Sequence, residues 1–441
     1  MGTTVAFISL GCAKNLVNTE QMMALCRQAG FAVGEEPDSS DVTVINTCGF
    51  IDSAKQEAID TILSVAEQKA AGRVKKILVT GCLSQRYQKE ILRELPEVDG
   101  ILGTGSYGKI VEAVQEVLSG GSPFYFDSIH ADIDEFDRVL TTPRYYAYLR
   151  IAEGCDNHCA YCVIPSLRGK YRSRTMEHVL SEARKLEQGG VREIIVIAQD
   201  ITRYGIDLYG ERKLSALLQE LCRMNFHWIR LHYLYPDEIT DELIDEIAKE
   251  PKILKYLDIP IQHCNDRVLS AMNRRGDKEY LPALFRKLRE KIPGLVLRTS
   301  LIAGLPGEDE AAFEELCGFL QEVRIERTGV FPYSPEEGTP AALMERVDSA
   351  EAERRAELVV DVQSRIMDAY NESVQGKIRE VLCTGWDGQA MRYTGRSYAE
   401  SPDIDGRIYF TASRDVSEGE FVPVRITGSM DGELTGELWE D

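Results

Sequence analysis

Nine apolar runs with strand character, each followed by a helical pattern, fill the first 345 residues of the 441-residue chain. The first three are TVAFISL, DVTVIN and KKILVT. The next six are YYAYLRI, EIIVIA, WIRLHY, YLDIPI, LVLRTSLIA and RTGVFPY. Strands that alternate with helices have to pair in parallel and be covered by those helices, so the sequence predicts an α/β protein. The run breaks once. Residues 126–143 are polar and acidic, end in Thr141, Thr142 and Pro143, and read as a linker. This divides the rhythm into an N-terminal parallel α/β domain over 1–125 and a second segment over 144–374. Six sequential βα units in the second predict a barrel or partial barrel, closed off by a helix near Ser349–Ser373. Within the first domain, helices are expected near Asn18–Ala29, after Asp52 as a cap, and near Gln85–Glu94. Residues 375–441 carry short strand-like runs (KIREVLC, AMRYTG, RIYFTA, FVPVRITG) separated by Gly, Asp and Pro, which predicts a small antiparallel β-barrel.

Chemistry enters with the cysteines. There are 11, an odd number, and the N-terminus has neither the basic region nor the apolar stretch of an export signal. A disulfide framework is therefore not expected. No apolar run approaches the roughly 20 residues of a membrane span, and Ala6 replaces the Ser or Thr of a myristoylation signal. The expected location is cytoplasmic. Cys155, Cys159 and Cys162 form CxxxCxxC in the loop after the first strand of the second segment. In α/β barrels that end of a strand is where sites are built. Three thiolates from one loop suit an iron–sulfur cubane and leave its fourth iron open to a small chelating molecule. The competing reading is a zinc site, which usually closes with four ligands. His158 is the only adjacent candidate, and it is expected to face solvent.

A second trio is scattered in sequence but not in context. Cys12, Cys48 and Cys82 each sit at the strand-to-helix turn of their own βα unit. Parallel strands bring such turns to one edge of a sheet, where ligands bind. The alternative is three buried structural cysteines. The other five (Cys26, Cys222, Cys264, Cys317 and Cys383) are expected to be structural.

The motifs SLGCAKNLVNTE, INTCGFIDSA, VTGCL, EGCDNHCAYCVIPSLRG, YLDIPIQH and AGLPGE together resemble the bacterial radical S-adenosylmethionine (SAM) methylthiotransferases over the whole chain. The resemblance implies an N-terminal methylthiotransferase domain, a radical SAM partial (βα)6 barrel and a C-terminal TRAM barrel. It implies two [4Fe-4S] clusters, one on Cys155, Cys159 and Cys162 for SAM, and an auxiliary one on Cys12, Cys48 and Cys82. It further implies an electron donor such as flavodoxin or ferredoxin. Two branches compete, one acting on adenosine in tRNA and one, RimO-like, on the β-carbon of an aspartate in the twelfth protein of the small ribosomal subunit. The runs GCAKNLVNTE, NTCGFIDSA and IPSLRG are similar to the second branch, although Asn18-Thr19 stand where that branch often has Asp-Ser. Charge points the same way. The net charge is −21, and the terminal barrel has seven basic against thirteen acidic residues, favouring a basic protein substrate over a polyanion. A non-catalytic iron–sulfur electron carrier is the alternative of another class. Tyr161, Gln199, Asp200, His263, Arg298 and Gly304 are candidates to line the SAM site. Their competing readings are solvated loop residues, structural hydrogen bonders and, for Gly304, the turn into the next helix.

Overall fold

A computed structural model describes residues 2–36 and 39–440. The chain forms two compact units. The first comprises residues 1–189, 196–217 and 334–343, and the second 190–195, 218–333 and 344–441. Among the described residues, no helix is long and apolar enough to cross a membrane.

The first unit begins with six strands: β1 (Thr4–Ser9), β2 (Ala32–Gly34), β3 (Val42–Thr47), β4 (Lys76–Gly81), β5 (Gly100–Leu102) and β6 (Phe124–Tyr125). They form one parallel sheet in the order β2-β1-β3-β4-β5-β6. Every residue of β3 is buried, as a strand covered on both faces must be. One face packs Val5, Phe7, Val42, Val44 and Leu78 against helices α1 (Ala13–Gln28) and, later in the chain, α5 (Ile110–Leu118). The other packs Ile45, Ile77, Val79 and Ile101 against α2 (Asp52–Ala70) and the short helices α3 (Cys82–Tyr87) and α4 (Lys89–Glu94). The strand order reverses direction between β1 and β3. In open α/β sheets that reversal leaves a crevice at the strands' carboxyl ends.

Three local expectations need correction. The first helix starts at Ala13, five residues earlier than the pattern implied, because Cys12 takes an extended conformation and its carbonyl accepts the first helical bond from Leu16. Asp52 is the first residue of α2 rather than its cap, and its carboxylate pairs with Lys55 at 2.5 Å. The helix expected over Gln85–Glu94 is two helices, α3 and α4, broken at Gln88 with φ of +41°, where no Gly or Pro marks the turn.

Residues 126–143 form no helix or strand, yet they are fixed to the first unit. The Arg138 side chain, 4% exposed, lies between Glu20 and Glu182 at 3.3 and 3.0 Å. The backbone N–H of Val139 donates to the Glu20 carbonyl, and Arg174 Nε donates to Glu135.

The six expected βα strands of the central segment all form: β7 (Tyr146–Arg150), β10 (Glu193–Ile197), β11 (Trp228–Leu231), β12 (Ile253–Asp258), β13 (Val296–Ala303) and β14 (Arg327–Pro332). Between the first two, the two-residue strands β8 (Ala152–Glu153) and β9 (Arg172–Ser173) form an antiparallel pair beside the cysteine loop. Within the second unit β11, β12, β13 and β14 pair in sequence order and in parallel, the run expected of a partial barrel. The helix Ser349–Ser373 covers β13 and β14.

The terminal barrel is closed, with strands β15 (Ile378–Asp387), β16 (Arg392–Arg396), β17 (Ile408–Thr411), β18 (Phe421–Met430) and β19 (Glu433–Leu438) in the order β15-β16-β17-β19-β18. It differs from expectation by a fifth strand and by one parallel pairing, β17 with β19. Closure leaves no edge strand open to association. The ring of Phe410 fills this barrel without exposure and stacks on Tyr393 at 5.5 Å. Phe410→Ala should cost about 3–5 kcal/mol, read as a lowered melting transition of the intact chain in calorimetry. An unchanged melt would show that the barrel does not depend on this ring.

Candidate active site

The N-terminal trio assembles at the sheet's reversal point. Cys12 follows β1, Cys48 follows β3, and Cys82 opens α3 directly after β4. Gly11 precedes Cys12 with φ of +85°, and a Cβ there would lie 2.6 Å from the Cys48 Cβ. Only glycine lets the first and second turns approach this closely. Asn15, one turn into α1, donates its side-chain amide to the carbonyls of Leu10 and Thr47 at 3.0 and 2.9 Å, fixing the turns before Cys12 and Cys48. Asn46 donates in return to the Asn15 carbonyl at 2.9 Å.

The three thiols act on one another. Burial pushes the Cys48 thiol up to about 12, and the sulfurs of Cys82 and Cys12 add to the rise. Burial also raises Cys82, against the pull of Arg168. Cys12 differs. Its residue is exposed at the rim. Enough protein surrounds its sulfur for desolvation to be the largest single influence, but the charges of Lys14 and Arg168 and the amides of Asn15 and Lys14 outweigh it, and the thiol is lowered.

The second trio sits on the loop between β8 and α6 (Ile164–Arg168). Cys159 is buried, while Cys155 and Cys162 are half-buried. Burial pushes the Cys155 thiol up to about 11. The loop is held at its base by the Cys155 N–H donating to the Gly169 carbonyl at 3.2 Å. His158 is exposed, as expected, with φ of +49°.

Arg168, at the end of α6, reaches from the second loop into the first trio. Its side chain is 3% exposed, and its charge acts on the Cys82 thiol. It also donates to Asn18 Oδ1 at 2.8 Å, to Asn15 Oδ1, and to Glu153 Oε2 at 3.3 Å. Glu153 is buried and bound as well by Arg150 at 2.9 Å and by the Gln199 amide at 2.7 Å. Burial would raise the Glu153 carboxyl. Arg168 first, then Arg150 and Gln199, hold it down at about 2. An apolar seam of Phe50, Val163 and Leu167 packs around Cys82 beside this polar lattice.

Residues 334–343 brace both loops from a third direction. Glu336, 2% exposed, accepts from Arg86 at 2.5 Å and from Lys55 at 3.0 Å. Arg86 lies one turn beyond Cys82 and also donates to the carbonyl of Gly49, next to Cys48, at 3.1 Å. The Ala341 N–H donates at 2.9 Å to the carbonyl of Ala160, inside the second cysteine loop.

Of the six sequence-level candidates for the SAM site, Tyr161, Gln199 and Asp200 lie in the first unit with the thiols. Tyr161 is half-buried in the loop, and Gln199, also half-buried, holds Glu153. Asp200 lies beside the cysteine loop. It is fully buried, and its carboxylate accepts from Asn157 of the cysteine loop at 3.0 Å and from the Thr202 N–H at 3.0 Å. In the second unit, His263 is fully buried and lies 3.2 Å from Glu308. Arg298 is paired with Asp258 at 2.8 Å. Gly304 has φ of +79°, and a Cβ would meet the Cβ of Ala352 at 2.4 Å, so this glycine admits the helix Ser349–Ser373. Conversely, Asn15, Glu153, Arg168 and Glu336 were not singled out in the sequence. Their only signal was proximity to the cysteine motifs, in SLGCAKN, EGC and IPSLRG, and Glu336 had none.

Among the described residues, no three His, Cys, Asp or Glu groups converge as they would on a single metal ion. A cubane makes a different demand, since its three thiolates bind three separate irons. Two soft all-thiol donor sets, one seated on a glycine cradle beside a buried arginine, fit that requirement.

Comparison with known proteins bears on both trios. The model of the uncharacterized protein family UPF0004 matches residues 4–103, that of the radical SAM superfamily residues 149–320, and that of the TRAM domain residues 376–438. A ribosomal protein uS12 methylthiotransferase RimO from Pelotomaculum thermopropionicum is 47% identical over 447 residues, covering 99% of each chain. One from Symbiobacterium thermophilum is 46% identical over 441 residues, covering 99% of this chain and 91% of that one. Among solved structures, the radical S-adenosylmethionine methyltransferase TsrM from Kitasatospora setae, with tryptophan substrate and the SAM analog aza-SAM, has a TM-score of 0.59 at 13% identity. It covers 84% of this chain and 90% of that chain. At that identity the likeness shows a shared fold.

The thiol environments predict unequal reactivity. In metal-free protein under anaerobic conditions at about pH 8, iodoacetamide should label Cys12 well before Cys48 and Cys82, as read by peptide mass spectrometry. Equal labelling of all three would show that burial and Arg168 do not differentiate them.

Proposed function

Because the chain belongs to the ribosomal protein uS12 methylthiotransferase family, we propose that it adds a methylthio group to the β-carbon of an aspartate side chain in uS12, working on two [4Fe-4S] clusters and SAM. The observation that carries this reading is the placement of two all-cysteine trios in one compact unit, joined through Arg168. Cys155, Cys159 and Cys162 would hold the cluster that binds SAM, and Cys12, Cys48 and Cys82 the auxiliary cluster. When bound, SAM supplies the methyl group and, after one-electron reduction, a radical strong enough to take hydrogen from an unactivated carbon, while the auxiliary cluster presents sulfur.

The chain's own residues then have geometric and electrostatic tasks. Asn157 and Asp200 hold the SAM-facing loop in shape. Glu336, through Arg86, holds the turns of Cys48 and Cys82, and residues 334–343 tie that brace to the second loop. Phe50, Val163 and Leu167 keep the side of Cys82 dry, which strengthens every charge interaction there. Arg168 offers positive charge to thiolates that become anionic when they bind iron.

The acidic terminal barrel supports a basic protein substrate rather than tRNA. We place the reaction in the cytoplasm, with reduction by a small electron carrier such as flavodoxin or ferredoxin. Incubation of anaerobically reconstituted protein with SAM, reductant and either small ribosomal subunits or tRNA tests the reading. A methylthio mass gain on uS12 is expected, and a gain on tRNA alone would reject it. Cys159→Ala should abolish 5′-deoxyadenosine release. Cys48→Ala should retain part of that release while losing methylthiolation. Absence of 5′-deoxyadenosine in the unaltered protein would instead favour an electron carrier.

A further inference from the structure

Arg168 is a buried cation whose charge is incompletely answered. Its charge acts on all three N-terminal thiols, and α6, which carries it, packs Leu167 against Cys82. Three side-chain oxygens accept from it, those of Asn15, Asn18 and Glu153, and only one of the three is anionic. That one carboxylate is divided, because Arg150 binds the same Glu153 oxygen at 2.9 Å. A third guanidinium stands close by, with Arg172 donating to the Arg168 carbonyl at 3.1 Å. The arginines and Glu153 share a cavity of about 230 Å³ with Asn18. The other carboxylates around it, Asp127, Asp132 and Asp134, are exposed on the 126–143 strap, and Asp127 is already paired with Lys109 at 2.8 Å. The balance beside the thiol trio is therefore cationic, and it is poorly screened because Asn18 and Arg168 are both 3% exposed.

Asn18 is where this balance is set. Its Oδ1 takes a full hydrogen bond from Arg168 without supplying charge. An aspartate there would keep the same shape and the same bond, and would give Arg168 a second anionic partner.

We propose that Arg168 is a positioning residue that holds the auxiliary cluster's charge balance, and that Asn18, by withholding a carboxylate from it, keeps that cluster at a higher reduction potential than aspartate would allow. The inference rests on the two-cluster reading above. A cubane on three thiolates is anionic, and reduction adds further negative charge. A nearby cation favours the reduced form, and so raises the potential.

The test is an EPR-monitored redox titration of the anaerobically reconstituted full chain, with iron counted in the same samples. Asn18→Asp should move the auxiliary midpoint to lower potential while the SAM-facing centre moves less. Arg168→Gln should move it the same way, and Arg168→Lys, which keeps the charge, should move it less than Arg168→Gln. About eight irons per chain in each variant shows that both clusters are loaded. With that loading, an auxiliary midpoint unchanged in Asn18→Asp, or both centres shifting equally, overturns the inference alone. About four irons in the unaltered protein overturns the two-cluster reading and the inference with it. If Arg168→Gln does not load, the near-isosteric Asn18→Asp and the charge-conserving Arg168→Lys still decide the matter.

Discussion

A guanidinium buried to 3% exposure is the constraint around which the first unit is arranged. Removing such a charge from water costs several kcal/mol unless its donors are answered in good geometry. Arg168 meets that condition with side chains from three places in the sequence: Asn15 and Asn18 on α1, and Glu153 on β8. Each partner is itself fixed. Asn15 is bound to the carbonyls of Leu10 and Thr47, and Glu153 to Arg150 and Gln199. The turn that carries Cys12, the turn that carries Cys48 and the loop that carries Cys155, Cys159 and Cys162 therefore cannot shift independently without breaking a buried polar bond.

Topology decides why the trio forms where it does. Cysteines 34 or more residues apart meet because β1, β3 and β4 are neighbours in a parallel sheet, and all three chains turn at the same edge. The reversal between β1 and β3 leaves that edge without a covering crossover, which is the usual opening for a ligand in such sheets. Residues 334–343 then add what the sheet cannot provide. A carboxylate from far along the chain fixes Arg86 and Lys55, and a backbone bond fixes Ala160.

Much of this was legible in the sequence. Nine strand–helix alternations, a thiol at three successive turns and the CxxxCxxC loop are all local patterns, and local patterns survive in a one-dimensional reading. What was not legible depends on partners distant in sequence. Asp200, His263 and Arg298 could be read as mouth residues or as structural hydrogen bonders because they are polar and end barrel strands, and their partners were not visible. The structure spends Asp200 on Asn157, sets His263 beside Glu308 and pairs Arg298 with Asp258. Gly304 could be read as a close approach to a ligand or as the turn into the next helix, and its contact with Ala352 of a later helix gave no sign in the sequence. Glu336 gave no signal because its meaning comes from Arg86, 250 residues earlier. The short strands β2, β5, β6, β8 and β9 were missed for a related reason, since two or three residues are too few to show alternation.

The unequal thiols bear on how such a site fills. A thiol must lose its proton to bind iron, so a site in which all three thiols were raised by burial would resist loading, and one in which all three were ionised would repel itself. Here Cys12 alone is lowered, held by Lys14, Arg168 and the first amides of α1, while Cys48 and Cys82 are raised. Of the three, Cys12 is therefore the thiol that gives up its proton most readily, with cationic charge nearby to balance it. Cys12, Cys48 and Cys82 would hold the iron, whose positive charge would favour the thiolate form of the two raised thiols. The burial that would penalise an empty anionic site then favours the occupied one, because the same dry walls strengthen the attraction between the metal and the thiolates it has created.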